Sequence, residues 1–225
     1  MAKHLQIETG KLRNGVLRVG AFVEESFVLA IRAIARRDAE TAQRVLDTHT
    51  EVDRMEVELE EECLKVLALY QPVARDLRLI VAILKINNDL ERVGDLAENI
   101  ALRAVSLAQR PALDAPYDLS GMAESTRQML HGSLDALANM DSAIARLVCA
   151  QDDSVDTINR DMYRRVKAAI QAHPEQVEAL LHLLSVSRYV ERIADHATNI
   201  AEDVIYLLEG GIVRHGLGQG APSEP

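Results

Sequence analysis

The stretch LERVGDLAENIA, residues 90–101, is repeated in altered form one hundred positions later as VERIADHATNIA, residues 190–201. In both copies apolar residues recur three and four positions apart, which is the spacing of one helix face. Extending the pattern gives two apolar seams: Ile83, Ile86, Leu90, Val93, Ala97, Ile100, Ala104 and Leu107, then Leu183, Val186, Val190, Ile193, Ala197, Ile200, Val204 and Leu207. Their heptad spacing predicts two long helices that bury the same face in an aliphatic core.

A stripe of carboxylates lies well round each predicted helix from the seam. Glu91 and Asp95 are four residues apart, as are Glu191 and Asp195. Like charges at that spacing destabilise a helix by about 0.2–0.5 kcal/mol. Each aspartate has an arginine three residues before it, whereas Glu91 has no basic neighbour three or four positions away on its own helix. A divalent cation would neutralise each pair and bind its oxygens directly. The duplicated pairs therefore predict two metal sites; a solvated acidic face or an interface between the bundles is the alternative.

Two carboxylates rarely complete the ligand shell of a hard cation, so further ligands are expected from a neighbouring helix. The duplicated Asp53 and Asp156 are the best candidates, with Glu56 and Glu60 behind them. His196 stands beside the second acidic pair without a counterpart in the first half. It is a possible ligand, although a partly exposed helical histidine is the commoner outcome.

The rest of the chain shows the same duplication and predicts six helices. Asp38 and Asp141 are candidate N-caps 103 positions apart, and Pro72 and Pro174 follow equivalent helices. The expected helices are approximately 11–36, 39–70, 73–109, 119–139, 142–172 and 175–209. The expected organisation is a first three-helix repeat at 1–109, a linker at 110–118, a second repeat at 119–209 and a flexible tail at 210–225. The predicted fold class is all-α, a tandem repeat of two three-helix bundles.

Bulk composition limits the function classes. The 225 residues carry a net charge of −10, and a binder of nucleic-acid phosphates would show a basic face instead. Two cysteines do not form a disulfide framework. No signal peptide and no apolar run of about 20 residues is recognisable, so we expect a cytoplasmic protein without membrane insertion.

The segments QPVARDLRLIVAILKINNDLERVGDLAENIA, residues 71–101, and SRYVERIADHATNIAEDV, residues 187–204, resemble the PhoU family of phosphate-transport accessory proteins. The resemblance extends over roughly residues 11–209. It implies acidic motifs that hold metal clusters in some members, iron and zinc among them; manganese or magnesium would also suit the ligands. The implied motif residues are Glu91, Asp95 and Asn99, then Glu191, Asp195 and Asn199.

The resemblance also implies a regulatory role without catalysis. Such proteins couple the phosphate ABC transporter to a sensor histidine kinase, restrain uptake and keep the starvation response off when phosphate is plentiful. The implied contacts are the ATPase subunit of the transporter and the cytoplasmic region of the kinase. A homodimer is expected as well, because long amphipathic helices often leave an apolar stripe to share.

Two alternatives to this role remain at the level of sequence. A carboxylate-bridged di-iron enzyme would use Glu-x-x-His from paired helices, yet none of the seven histidines follows an acid by three residues. The carboxylate stripes also lie away from the apolar seams, whereas a di-iron site projects inward. A plain helical scaffold for a partner helix would differ from the regulator only in lacking metal dependence.

Overall fold

The computed structural model describes residues 2–113 and 119–210, and these ranges contain helices and no strand. The α-helices are α1 Ala2–Arg36, α2 Ala39–Tyr70, α3 Ala74–Ala108, α4 Leu119–Asn139, α5 Ser142–Ala172 and α6 Val177–Glu209, with a 3-10 turn at Pro174–Gln176. The predicted all-α fold of six helices is confirmed. Within the described ranges, no helix combines the length and the hydropathy that crossing a bilayer requires.

Helix α1 begins nine residues before its predicted start at residue 11, so that prediction was wrong. Leu5 packs against the core and Thr9 is buried, with its hydroxyl donating to the Leu5 carbonyl at 3.0 Å. This packing extends the helix through Gly10 in spite of the low helix propensity of glycine. Residues 114–118 of the predicted linker and residues 211–225 of the predicted tail lie outside the described residues.

The caps of α2 and α5 confirm the predicted equivalence of the two hairpins. The Asp38 carboxylate accepts the backbone N–H groups of Glu40 and Thr41 at 3.0 and 3.1 Å. The Asp141 carboxylate accepts those of Ala143 and Ile144 at 2.8 and 3.4 Å. In both hairpins the residue before the cap has a positive φ. Each short connection therefore reverses the chain and holds the two helices side by side.

Helices α3 and α6 form the centre of the molecule. Every residue of both predicted seams is buried, the most exposed being Leu183 at 6%. Helix α3 packs against α1, α2 and α6, while α6 packs against α4, α5 and α3. Burying both seams in one continuous aliphatic core joins the two repeats, because each seam meets its own bundle and the other central helix.

The two central helices run antiparallel. Lys85 near the start of α3 contacts Asp203 near the end of α6, and Arg110 just after α3 contacts Glu178 at the start of α6. The first and second repeats are thereby related by a pseudo-two-fold rotation near the middle of these helices. This arrangement places one carboxylate stripe between α2 and α3 and the other between α5 and α6.

Candidate metal centre

The second site combines Asp156 of α5 with Glu191 and Asp195 of α6. One carboxylate oxygen from each residue lies within 4.8 Å of the other two. The two α6 residues are one turn apart, and Val155, buried beside Asp156, fixes the facing side of α5. All three residues were singled out from the sequence, and the structure brings them together.

Burial and mutual repulsion disfavour full ionisation of the three carboxyl groups of the second site when no cation is bound. Burial raises the pKa of Glu191, and the neighbouring Asp195 and Asp156 raise it further. Asp195 is the most exposed of the three, yet partial burial of its carboxyl raises its pKa, with Asp152 and Asp156 adding to the effect. A bound cation would offset both the burial and the repulsion.

Asp152 belongs to the second site and was missed in the sequence. It lies one turn before Asp156 on α5, and the Thr198 hydroxyl donates to its Oδ1 at 3.3 Å. Burial raises the pKa of Asp152, followed by the charge of Asp156. The second site therefore offers four carboxylates and one hydroxyl, all oxygen donors.

The first site is built around an unpredicted histidine, His49 of α2. Its Nε2 lies 3.6 Å from Asp53 Oδ1, 3.5 Å from Asp95 Oδ1 and 3.5 Å from Glu98 Oε2. The His49 side chain is only 15% exposed. One signal could have found it, because His49 precedes Asp53 by one helical turn and aligns with Asp152 at the offset of 103.

Glu91 lies beside the first site, near Asp95 and Asp53, but among the described residues only the second site brings three ligand atoms within 4.8 Å of one another. Burial raises the pKa of its carboxyl, and Asp95 raises it further. Its Oε2 is buried and accepts no hydrogen bond, although Arg92 Nε lies 3.2 Å away. An unsatisfied buried carboxylate oxygen facing further acids suits a metal ligand, and the donor set of carboxylates with one imidazole fits a divalent ion.

The arginines differ between the two halves. Arg92 reaches Asp95 Oδ2 at 3.2 Å, which confirms that predicted pair. No equivalent ion pair joins Arg192 to Asp195 in the part of the chain that the structure describes. Arg192 acts on the pKa of Asp195 only as one of the smaller charge effects.

The two predicted asparagine ligands make other contacts. Asn99 Nδ2 donates to the Asp95 carbonyl of its own helix at 2.8 Å. Asn199 Nδ2 donates to Asp89 Oδ1 at 3.4 Å, across the boundary between the repeats. His196 also turns to Asp89, with Nδ1 2.8 Å from Oδ1. The contacts of Asn199 and His196 with Asp89 therefore connect the two halves.

Glu56 lies behind the first site, as expected, and Glu60 lies further along the same helix. Burial raises the pKa of Glu56, and the charges of Glu60, Glu91 and Asp53 add to the rise. The buried Asn87 amide donates to the Glu56 carbonyl at 2.9 Å and holds this part of α2 against α3. The acidic surface of the first half is therefore longer than that of the second, where Asn159 takes the position of Glu56.

Fold and sites together define a class: a duplicated all-α protein with one carboxylate-rich group between two helices of each repeat. The family model for the PhoU domain matches twice, at residues 16–104 and 119–204, once in each repeat. The chain belongs to the PhoU family.

Relatives match over nearly the whole chain. The "Phosphate-specific transport system accessory protein PhoU homolog" of Aquifex aeolicus is 38% identical over 92% of this chain and 94% of its own length. The Pseudomonas aeruginosa protein of the same name is 34% identical over 96% of this chain and 89% of its own length.

Solved structures agree with the fold. A crystal structure of PhoU from Pseudomonas aeruginosa superposes with a TM-score of 0.88, at 34% identity, covering 92% of this chain and 99% of that one. The phosphate transport system regulatory protein PhoU from Streptococcus pneumoniae gives a TM-score of 0.83, at 26% identity, covering 93% of this chain and 99% of that one. Both cover the two repeats together.

Proposed function

We propose that this protein is a non-enzymatic regulator of phosphate uptake and phosphate-starvation signalling. In this role it connects the ATPase subunit of a phosphate ABC transporter to the cytoplasmic region of a sensor histidine kinase. The observation that carries the proposal is the family match in both repeats. Relatives named as accessory proteins of the phosphate-specific transport system support it over more than nine-tenths of the chain.

Metal binding at both sites is the second part of the proposal. The first site would use His49, Asp53, Glu91, Asp95 and Glu98, and the second Asp152, Asp156, Glu191 and Asp195. Iron, zinc, manganese and magnesium are the candidate ions, since the donors are carboxylates with one imidazole. A bound ion would neutralise the acidic face and hold two helices of each repeat at a fixed separation.

The position of the sites favours a regulator over a di-iron enzyme. Residues of both groups lie at the surface between two helices, and the apolar seams beside them are buried. An enzyme of the di-iron class would bring its ligands into the bundle core, where this chain has aliphatic side chains. The proposed setting is the cytoplasm, with the protein acting as a homodimer.

Partner binding tests the regulatory proposal. The ATPase subunit and the kinase region from the same genome would each be immobilised, and binding of the purified protein measured by interferometry, with and without metal. We expect saturable binding to both partners. Absence of binding to either one, with folded protein loaded with metal, would contradict the adaptor role.

Elemental mass spectrometry tests the metal part separately. Untagged protein purified without chelator is compared with a variant in which Glu91, Asp95, Glu191 and Asp195 are all changed to Ala. A matched control replaces four exposed acids outside both sites, Glu25, Glu58, Glu61 and Glu175, by Ala. We expect metal in the wild type and the control and none in the site variant. Equal metal in all three proteins would remove the site assignment.

A further inference from the structure

We infer that the joint between α3 and α6 holds a binding site for a small phosphate-type oxyanion, centred on Arg103. His182, Tyr189 and Arg110 surround it, and these four residues form the basic cluster. Inorganic phosphate is the ligand that we assign to the basic cluster. This choice of ligand rests on the proposed function, whereas the site itself follows from unpaired hydrogen-bond donors and from charge.

The basic cluster lies where the C-terminal end of α3 passes the N-terminal end of α6. Arg103 and Arg110 are seven residues apart in the sequence, as are His182 and Tyr189. Residues at that spacing share a helix face. Arg103 Nη2 lies 3.5 Å from the Tyr189 hydroxyl, which places the two faces against each other. Each of the four residues is partly exposed, so an anion can reach them from solvent.

The guanidinium of Arg103 has no carboxylate partner within residues 2–113 and 119–210. Its Nε is buried and makes no hydrogen bond, and the 3.5 Å contact of Nη2 with Tyr189 is long for one. An unpaired buried donor on a charged group costs free energy, and a bound ion is one explanation for such a group. A phosphate oxygen would accept from Nε, and the fork of the guanidinium lets Nη2 donate to a second oxygen.

The pseudo-two-fold counterpart of Arg103 indicates which charge is missing beside it. On that side of the joint, Lys85 Nζ lies 3.0 Å from Oδ1 of the buried Asp203. The rotation relates Asp203 to Arg103 and Lys85 to Ser185. One side therefore has a cation paired with an anion, whereas the related positions on the other side have a cation and a serine. An anion from solvent would supply the negative charge that this side lacks.

Further positive charge acts at the same place. Burial lowers the pKa of His182, and the charges of Arg103 and Arg110 lower it further, so both guanidiniums act on this imidazole. Glu178, which pairs with Arg110, offsets only part of the effect. The His182 imidazole makes no hydrogen bond within the described part of the chain. Two guanidiniums, an imidazole and a phenol are together suited to a tetrahedral oxyanion.

Isothermal titration calorimetry of the full chain with potassium phosphate tests the inference, in a buffer with EDTA that excludes phosphate bound through a metal ion. We expect saturable binding by the wild type and at least about tenfold weaker binding by Arg103→Met. The control Arg164→Met removes an exposed arginine that is paired with Asp161, and it should bind like the wild type. Equal binding by wild type and folded Arg103→Met, or no binding by the wild type at millimolar phosphate, would overturn the inference.

Ser185→Glu provides a second variant, because it copies the pairing of Lys85 with Asp203 to the other side of the joint with the charges reversed. We expect the new carboxylate to pair with Arg103 and to weaken phosphate binding at least about tenfold. Phosphate should raise the thermal unfolding midpoint of the wild type and leave that of Ser185→Glu in place. Full phosphate binding by folded Ser185→Glu would contradict the site.

Titration with ATP in the same buffer distinguishes inorganic phosphate from the phosphate groups of a nucleotide. We expect inorganic phosphate to bind more tightly, because the basic cluster surrounds room for one tetrahedral group. Binding of ATP without inorganic phosphate would overturn the assigned ligand. The adaptor role is judged apart from this result: a protein that binds both partners and no phosphate would overturn this inference alone, and phosphate binding without partner binding would overturn the adaptor role alone.

Discussion

At the scale of single residues, the candidate sites contain carboxyl groups whose ionised form is disfavoured in the folded protein. Glu91, Glu191, Asp195 and Asp152 all have raised pKa values, with burial as the largest cause and neighbouring acids next. A carboxyl whose folded pKa is raised destabilises the folded protein at pH values above that pKa, because the unfolded chain ionises more easily. The proposed metal binding would explain why a protein keeps such groups in both repeats.

The pH dependence of the free energy of unfolding follows from these raised carboxyl pKa values. As pH falls from 7 towards the ordinary carboxyl range near 4, the folded site carboxyls take up protons first, and the destabilisation that they cause is relieved. Metal-free wild type should therefore gain stability relative to the Glu91, Asp95, Glu191 and Asp195 quadruple Ala variant on going from pH 7 to pH 5. Parallel thermal unfolding curves at each pH measure the difference. The raised carboxyl pKa values would be contradicted if the stability difference between the two proteins stayed constant with pH, or if wild type lost stability relative to the variant at pH 5.

The residues also show what the sequence could and could not predict. Asp53 and Asp156 were predictable because the same residue recurs at the same offset beside a helix face. His49 and Asp152 were missed because they occupy equivalent positions with different residue types. A comparison that looks for identical residues in the two repeats does not detect such a pair. Asn99 and Asn199 occupy matching positions but make different hydrogen bonds, which a shared letter in the sequence does not predict.

At the scale of the elements, packing decided what periodicity left open. The two seams were fully predictable because each repeats an apolar residue every three or four positions. The early start of α1 was not, because it depends on Leu5 meeting a core that local sequence does not reveal. Packing also determines whether a glycine inside a helix can be replaced by alanine. Two glycines, at positions 94 and 20, differ in the space available for an added Cβ.

Gly94 lies in the interior of α3 beside the first site, where the second repeat has Ala194. An added Cβ would meet Val52 at 3.4 Å and His49 at 3.9 Å, both ordinary contacts. Gly94→Ala should therefore raise the free energy of unfolding by about 0.5–1 kcal/mol through helix propensity. Urea unfolding followed by circular dichroism measures the change.

Gly20 of α1 provides the opposing control. A Cβ there would lie 2.6 Å from Leu134 Cδ2 and 2.8 Å from its Cδ1, at the contact between α1 and α4. Gly20→Ala should lose about 1 kcal/mol, because displacing the buried leucine outweighs the gain in propensity. If both variants changed the free energy of unfolding in the same direction, the contacts described for one of the two glycines would be contradicted.

At the scale of the whole molecule, the antiparallel pairing of α3 with α6 distinguishes the two repeats. Lys85 Nζ lies 3.0 Å from Oδ1 of the buried Asp203 and 5.3 Å from the ring of Tyr206. The pseudo-two-fold rotation relates Lys85 to Ser185 and Asp203 to Arg103, so the symmetry-related position has no ion pair of this kind. Pairing two first repeats would bring Lys85 opposite a second Arg103, which is a repulsion of like charges. The charges thus favour one first repeat with one second repeat.

Removing the lysine tests how much this pairing contributes. Asp203 has a side chain only 2% exposed, so Lys85→Met would take the nearby cation from a buried carboxylate. Breaking a buried pair costs about 3–5 kcal/mol, and the partial exposure of Lys85 at 41% reduces the expected loss to about 1–3 kcal/mol. Lys65→Met, which removes an exposed lysine paired with Glu62, is the control and should change stability by less than about 1 kcal/mol.

The double variant Lys85→Met with Asp203→Leu separates the charge effect from the packing of the two repeats. Replacing both partners by apolar residues of similar size leaves no carboxylate buried without its cation, so most of the loss should be recovered. Chemical unfolding of the wild type, Lys85→Met, Asp203→Leu and the double variant, with circular dichroism as the readout, gives the coupling free energy between the two positions. A double variant less stable than Lys85→Met would mean that Asp203 supports the joint between the repeats through contacts other than this ion pair.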